Sequence, residues 1–235
     1  MATLPHLVLL HGANGNGAEM EPLASALRPY ARVHAPNLPG HGGRAVPDHF
    51  SIADSAADVA AWMAREGVEK PFVMGYSLGG YVALFLARHR AASLAGVATL
   101  AVKHVFDADT VNRWVHLAQP DRLRGRPGRV AELERAHGAQ DWAAITTRNA
   151  ELFAQLGRQA LLDDAQLARI TLPVLAISSD RDQLVPWAET LALGRHIPGC
   201  EVAMFYGIAH PLAMVPVHPV ARTVAAWMAR VARHG

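Results

Sequence analysis

The sequence predicts an α/β protein: a mostly parallel central sheet flanked by helices, with a helical insertion. Two observations carry this. Short apolar runs alternate with longer helical patterns almost from the first residue, the sign of a parallel sheet covered on both faces. That rhythm then breaks between 104 and 170, where charged helical patterns replace the strands. At 235 residues the chain is long enough for one large domain with a full core.

The expected strands are "HLVLL" (6–10), "ARVHA" (31–35), "PFVMG" (71–75), "AGVATLAV" (95–102), "PVLAIS" (173–178) and "EVAMFY" (201–206). They are short, apolar or β-branched, and mostly bounded by Gly, Pro or polar residues. A helix is expected over 51–66, where Ser51 and Asp54 make an S-x-x-D start and Ile52, Val59 and Met63 share a face. The segment "LGGYVALFLAR" is apolar all round, as a helix buried against the sheet would be. In the insertion Trp142, Ile145, Asn149, Leu152, Phe153 and Leu156 recur at helical spacing, a stripe expected to pack against its neighbours.

Composition narrows the function. With 51% hydrophobic and 18% charged residues and a net charge of +2, the chain is an ordinary globular protein. Its arginines are spread along the sequence, which argues against a nucleic-acid partner. Cys200 is the only cysteine, so neither an intrachain disulfide nor a cysteine metal cluster is expected, and no metal is assigned. No apolar run reaches the roughly 18 residues of a membrane span, and the start "MATLPHLVLLHG" lacks a signal peptide's basic region. The expectation is a cytoplasmic monomer or homodimer with no membrane partner.

Gly75, Ser77 and Gly79 form G-x-S-x-G between an expected strand and an expected helix, the setting in which that pattern exposes a serine nucleophile on a sharp turn. A dinucleotide loop fits worse, because Leu100 stands where an acidic residue is needed. A P-loop also fits worse, since the only lysines are Lys70 and Lys103. A serine hydroxyl requires a base and a group that orients the base, in the chain order Ser, acid, His. After "PVLAIS", Asp182 in D-x-x-V-P is favoured over Asp180, which suits a turn-capping carboxylate. After "EVAMFY", His210 lies in the short loop past the strand, whereas His218 falls near the start of the last helix. For an oxyanion, the Leu78 N–H is one expected donor and Ala13 in "LLHGANGNG" the second, with Asn14 in reserve.

With "LLHGANGNG", "NLPGHGGR", "MGYSLGG", "SSDRDQLVP" and "YGIAHPL" in this order, nearly the whole chain resembles the α/β-hydrolase superfamily. The resemblance implies an α/β-hydrolase fold with core segments 1–103 and 171–235, a helical cap over 104–170, and a triad of Ser77, Asp182 and His210. It departs from the family pattern at Asn37, where many members have Asp, and at Ala209, where Gly is common. Ser178 and Ser179 stand where glycine is frequent, and the family's first antiparallel strands are expected to be absent or reduced. A serine at the elbow points away from the dehalogenase-like and epoxide-hydrolase-like members, which use Asp there.

The expected function is therefore a serine hydrolase of carboxylesterase type, needing no cofactor, that cleaves an ester of a small to medium, largely apolar acyl substrate. Two alternatives stand beside it: a lyase like the menaquinone-pathway member, which would need basic residues converging on the cleft, and a ligand sensor or interaction protein on a hydrolase scaffold. Candidate substrate contacts are Asn14, Tyr76, Lys103, His104, Trp114 and Trp142, although each tryptophan also suits plain packing.

Overall fold

The computed structural model describes residues 3–138 and 140–234. Strands β1 (His6–Leu10), β2 (Arg32–His34), β3 (Phe72–Tyr76), β4 (Gly96–Leu100), β5 (Val174–Ser179) and β6 (Glu201–Phe205) form one sheet ordered β2-β1-β3-β4-β5-β6. Every neighbouring pair is parallel. Each expected strand is present, with some ends shifted. The apolar run at 95–102 outlasts its strand because Ala101 turns to φ +53, although its N–H still reaches the Ile177 carbonyl at 2.9 Å.

The helices are α1 (Glu21–Leu27), α2 (Ile52–Arg65), α3 (Leu78–His89), α4 (Ala108–Leu117), α5 (Pro120–Arg124), α6 (Pro127–His137), α7 (Trp142–Arg158), α8 (Asp164–Leu167), α9 (Trp187–His196) and α10 (Val217–His234). Successive strand side chains point to opposite faces, and that alternation sorts the core into two layers. Val8, Leu10, Val73, Val97 and Ala176 join α2 and α3, whereas Leu7, Leu9, Met74, Ala98 and Ile177 join α1 and α10 around the buried Trp227. The apolar sequence around the serine is explained by α3, which is buried on nearly every side.

Among the described residues, five helices, α4–α8, lie between β4 and β5. The apolar stripe of α7 packs on the core: Ile145, Leu152, Phe153 and Leu156 are buried with Leu78, Tyr81 and Val82. Trp114 of α4 stands edge-on to Phe153 at 4.7 Å. Tyr81 of α3 anchors the segment after α7, its hydroxyl accepting the N–H groups of Leu161 and Leu162 at 3.3 and 3.2 Å. At the N-terminus of α2, Ser51 Oγ accepts the Asp54 N–H at 3.2 Å.

The chain passes from β1 to β2 on one side and then crosses back over β1 to β3 on the other, so the strand order reverses at β1. In open α/β sheets such a switch point opens a crevice beyond the strands' C-terminal ends. Here the loop after β1 faces the turn from β3 into α3, and glycines permit the approach. A Cβ on Gly75 would strike the Gly79 carbonyl, and one on Gly79 would strike the backbone carbonyls of Leu10 and His11. Substituting Gly79→Ala therefore forces backbone apart at the crossing of β1 and α3. We expect a loss of about 1–3 kcal/mol or more, read as a lowered urea midpoint with an unchanged m-value.

Candidate active site

Ser77 joins β3 to α3 in backbone geometry that side-chain-bearing residues rarely adopt, φ 50 and ψ −117. The turn is held on both sides. The Ser77 N–H donates to the Leu100 carbonyl of β4 at 2.9 Å, and its own carbonyl accepts from Gly80 and Tyr81 as α3 begins.

The loops after β5 and β6 bring two further side chains to this turn. His210 Nδ1 lies 2.7 Å from Asp182 Oδ2, and His210 Nε2 lies 3.2 Å from Ser77 Oγ. A carboxylate accepts only, so Nδ1 carries the proton and Nε2 offers its lone pair to the serine hydroxyl. Asp182 is aimed by its own turn: Oδ1 accepts the N–H groups of Leu184 and Val185 at 2.9 and 2.8 Å, leaving Oδ2 for the imidazole.

Two contacts absent from the sequence reading hold the histidine loop. The Tyr76 hydroxyl donates to the His210 carbonyl at 2.7 Å, and Asp180 Oδ1 accepts the Gly207 N–H at 2.5 Å. Gly207 supplies the left-handed turn at φ +78, so Ala209 is not required to adopt one. Asp180 thus has the turn-capping part, bridging the ends of β5 and β6.

Beside the serine, Leu78 begins α3, where helix geometry leaves its N–H without an intrahelical acceptor. The loop after β1 lies against the elbow: a Cβ on Gly12 would come 3.3 Å from the Ser77 Cβ and 2.9 Å from the Tyr76 ring. Ala13 follows directly.

Under this loop is a network of histidines that the motifs did not disclose. His11 Nδ1–H donates to the Gly12 carbonyl at 2.8 Å while Nε2 accepts the Leu38 N–H at 3.0 Å. His41 Nδ1–H donates to the Pro39 carbonyl at 2.8 Å, and its Nε2 accepts from Asn149 Nδ2 at 3.3 Å. His137 Nδ1 accepts the Gly42 N–H and its Nε2–H donates to the Asn14 carbonyl, both at 3.2 Å. Each ring uses one nitrogen as donor and the other as acceptor, so all three are neutral. Burial drives the His11 pKa down to about 4 and that of His41 to about 3, and it lowers His137 as well. Asn37, where Asp is common, uses both ends of its amide: Oδ1 accepts the Gly17 N–H at 2.6 Å and Nδ2 donates to the Gly42 carbonyl at 3.0 Å. An aspartate could not make the second bond.

The other candidate substrate contacts each have partners within the protein. Tyr76 is 9% exposed, its ring packed in the layer shared with α1 and α10. The ammonium of Lys103 is buried in an ion pair with Glu189 of α9. His104 is buried beside the same carboxylate, and its pKa is lowered by burial. Trp114 is fixed by Phe106 and Phe153. Trp142 is half-buried at the start of α7, with the Arg124 guanidinium 5.8 Å over its ring. Asn14 Oδ1 accepts from Asn149 Nδ2 at 2.8 Å. Among the described residues no group of three or more His, Cys, Asp or Glu is arranged to hold a metal ion, and no helix is long and apolar enough to cross a membrane.

The model of the Alpha/beta hydrolase family matches residues 7–226, and the chain belongs to that family. Among curated proteins it is 28% identical over 232 residues to the pimeloyl-[acyl-carrier protein] methyl ester esterase of Vibrio campbellii, covering 88% of this chain and 87% of that one. It is 36% identical over 88 residues to the 2-succinyl-6-hydroxy-2,4-cyclohexadiene-1-carboxylate synthase of Serratia proteamaculans, covering 37% and 34% of the two chains. In fold it is similar to a thermophilic esterase from Thermogutta terrifontis, with a TM-score of 0.80 at 20% identity over 98% of this chain and 92% of that one.

The neutral histidines make stability pH-dependent. Their folded-state pKa values are depressed, so their contribution is complete above the ordinary value near 6.5 and is lost as the unfolded chain takes up protons below it. The His11 and His41 rings should each cost up to about 1.4 kcal/mol per pH unit between about 6.5 and 4. Urea unfolding followed from pH 7 to 5 should show the decline, and His41→Gln should make it shallower by close to one proton.

Proposed function

We propose that this chain is a serine hydrolase of carboxylesterase type that forms an acyl-enzyme on Ser77. The observation that carries this reading is the continuous path from Asp182 Oδ2 through the imidazole of His210 to Ser77 Oγ. His210 Nε2 takes the hydroxyl proton as Oγ attacks the ester carbonyl carbon. The oxyanion is received by the N–H groups of Leu78 and Ala13. The carbon–oxygen bond to the alcohol then breaks, and His210 returns the proton to the departing oxygen. Water then gives a proton to the same nitrogen and attacks the acyl-enzyme; the acyl–Oγ bond breaks, the acid leaves, and His210 returns the proton to Ser77 Oγ. Asp182 keeps the proton on Nδ1 and stabilises the imidazolium without accepting that proton.

For the substrate we favour a small to medium, largely apolar acyl group, entering between the core and a cap formed by residues 104–170. The named methyl-ester substrate of the Vibrio relative supports an ester of this kind. The short match to the carboxylate synthase supports a lyase instead, but that reaction would need arginines converging on the serine. Arg113, Arg122, Arg124, Arg126 and Arg129 are solvent-exposed, and Arg124, Arg129 and Arg148 are paired on the surface with Asp121, Glu132 and Glu151. We assign the protein to the cytoplasm, on its single cysteine and the absence of a membrane-length helix among the described residues.

A fluorophosphonate should label the protein, and Ser77→Ala should abolish both labelling and the hydrolysis of p-nitrophenyl esters. The fall expected on losing the nucleophile is on the order of a millionfold in kcat, and Asp182→Asn should cost about ten-thousandfold. Across acyl lengths, turnover should be highest for short to medium chains. Undiminished hydrolysis by Ser77→Ala would overturn the assignment.

A further inference from the structure

We infer that Asn149, carried on α7 between β4 and β5, is a positioning residue that sets the oxyanion-accepting loop after β1 through its bond to Asn14. The inference rests on the serine-hydrolase reading above and adds to it a residue outside the elbow and its two partner loops.

The loop is pinned at two points, with Ala13 between them. On one side Gly12 lies so close to the elbow that a Cβ there would meet Tyr76 and Ser77. On the other side Asn14, at φ +60, is gripped from the helical segment: Asn149 Nδ2 donates to its side-chain oxygen at 2.8 Å, and His137 Nε2–H donates to its carbonyl at 3.2 Å. A third tie, from Asn16 Nδ2 to the Ala136 carbonyl at 2.7 Å, fixes the loop's far end to α6. The direction of the Ala13 N–H is therefore determined jointly by the elbow and by α6 and α7.

Asn149 is chemically out of place if its part is packing alone. It is fully buried on the face that also carries Ile145, Leu152, Phe153 and Leu156, where leucine would serve better. One end of its amide makes two bonds, to Asn14 and to His41 Nε2, while Oδ1 has no hydrogen-bond partner among the described residues. A buried amide left partly unpartnered is destabilising, so its retained bonds are the ones that hold the loop and the histidine behind it. Any displacement of α7 is passed to Asn14, and from Asn14 to the neighbouring Ala13 peptide.

The test compares p-nitrophenyl esters with the matching thionoesters, whose sulfur is a poor acceptor for oxyanion donors. Wild type, Asn149→Ala, Asn14→Gly and the double variant are measured, with active sites counted by stoichiometric fluorophosphonate labelling so that misfolded protein does not enter the rates. Asn14→Gly leaves α7 untouched and suits the positive φ, so it reads the same bond without altering the buried face. Each single variant should lose about tenfold to a hundredfold in kcat on the oxoester with KM little changed, the scale of an ångström-sized misplacement. Thionoester rates should fall less, and the double variant should lose no more than either single one. Equal losses on both esters, losses that multiply, or no loss would overturn the inference. A Ser77→Ala control in the same assay separates this outcome from failure of the hydrolase reading, which would instead leave wild-type turnover independent of Ser77.

Discussion

The site depends on one strained turn. Ser77 at φ 50 and ψ −117 is affordable only because β3 and α3 meet through glycines, so that strand, helix and the end of β1 can crowd together without a Cβ between them. The turn is then over-determined by bonds to β4 and by the first turn of α3. Its product is geometric: a hydroxyl above the C-terminal end of the sheet, next to the first free N–H of a buried helix.

Around that turn the sheet delivers loops rather than further elements. The ends of β5 and β6 are tied by Asp180 and Gly207, and Tyr76, the residue before the serine, bonds the carbonyl of His210 itself. The loop after β1 is backed by neutral histidines. Their burial makes them strict donors and acceptors rather than charges, and it exposes the scaffold to acid. The same polar layer joins the sheet to the helical segment, since Asn37, His41, His137 and Asn149 span both.

Much of this was legible in the sequence, for physical reasons. Parallel strands buried on both faces appear as short apolar runs, and the elbow must carry glycines at fixed offsets, so six strands and Ser77 could be placed from local chemistry. Asp182 and His210 could be placed because each follows its strand at loop distance. Where the sequence was silent, the contacts are long-range. Tyr76 and His210 are 134 positions apart, Asn14 and Asn149 are 135 apart, and no local pattern marks either pair. The internal partners of Lys103 and Trp114 were equally hidden: Glu189 lies 86 positions from Lys103, and Phe153 stands edge-on to Trp114 from another helix.

The central claim is that the ester carbonyl is transferred to Ser77 Oγ with His210 as the base. Rapid acid quench of the protein with a p-nitrophenyl ester, followed by peptide mass spectrometry, tests it most directly. The prediction is a transient acyl mass on the peptide bearing Ser77, forming with a burst of p-nitrophenol equal to the active sites. Steady ester hydrolysis with no acyl mass on Ser77 at any quench time, together with equal turnover by Ser77→Ala, would contradict it.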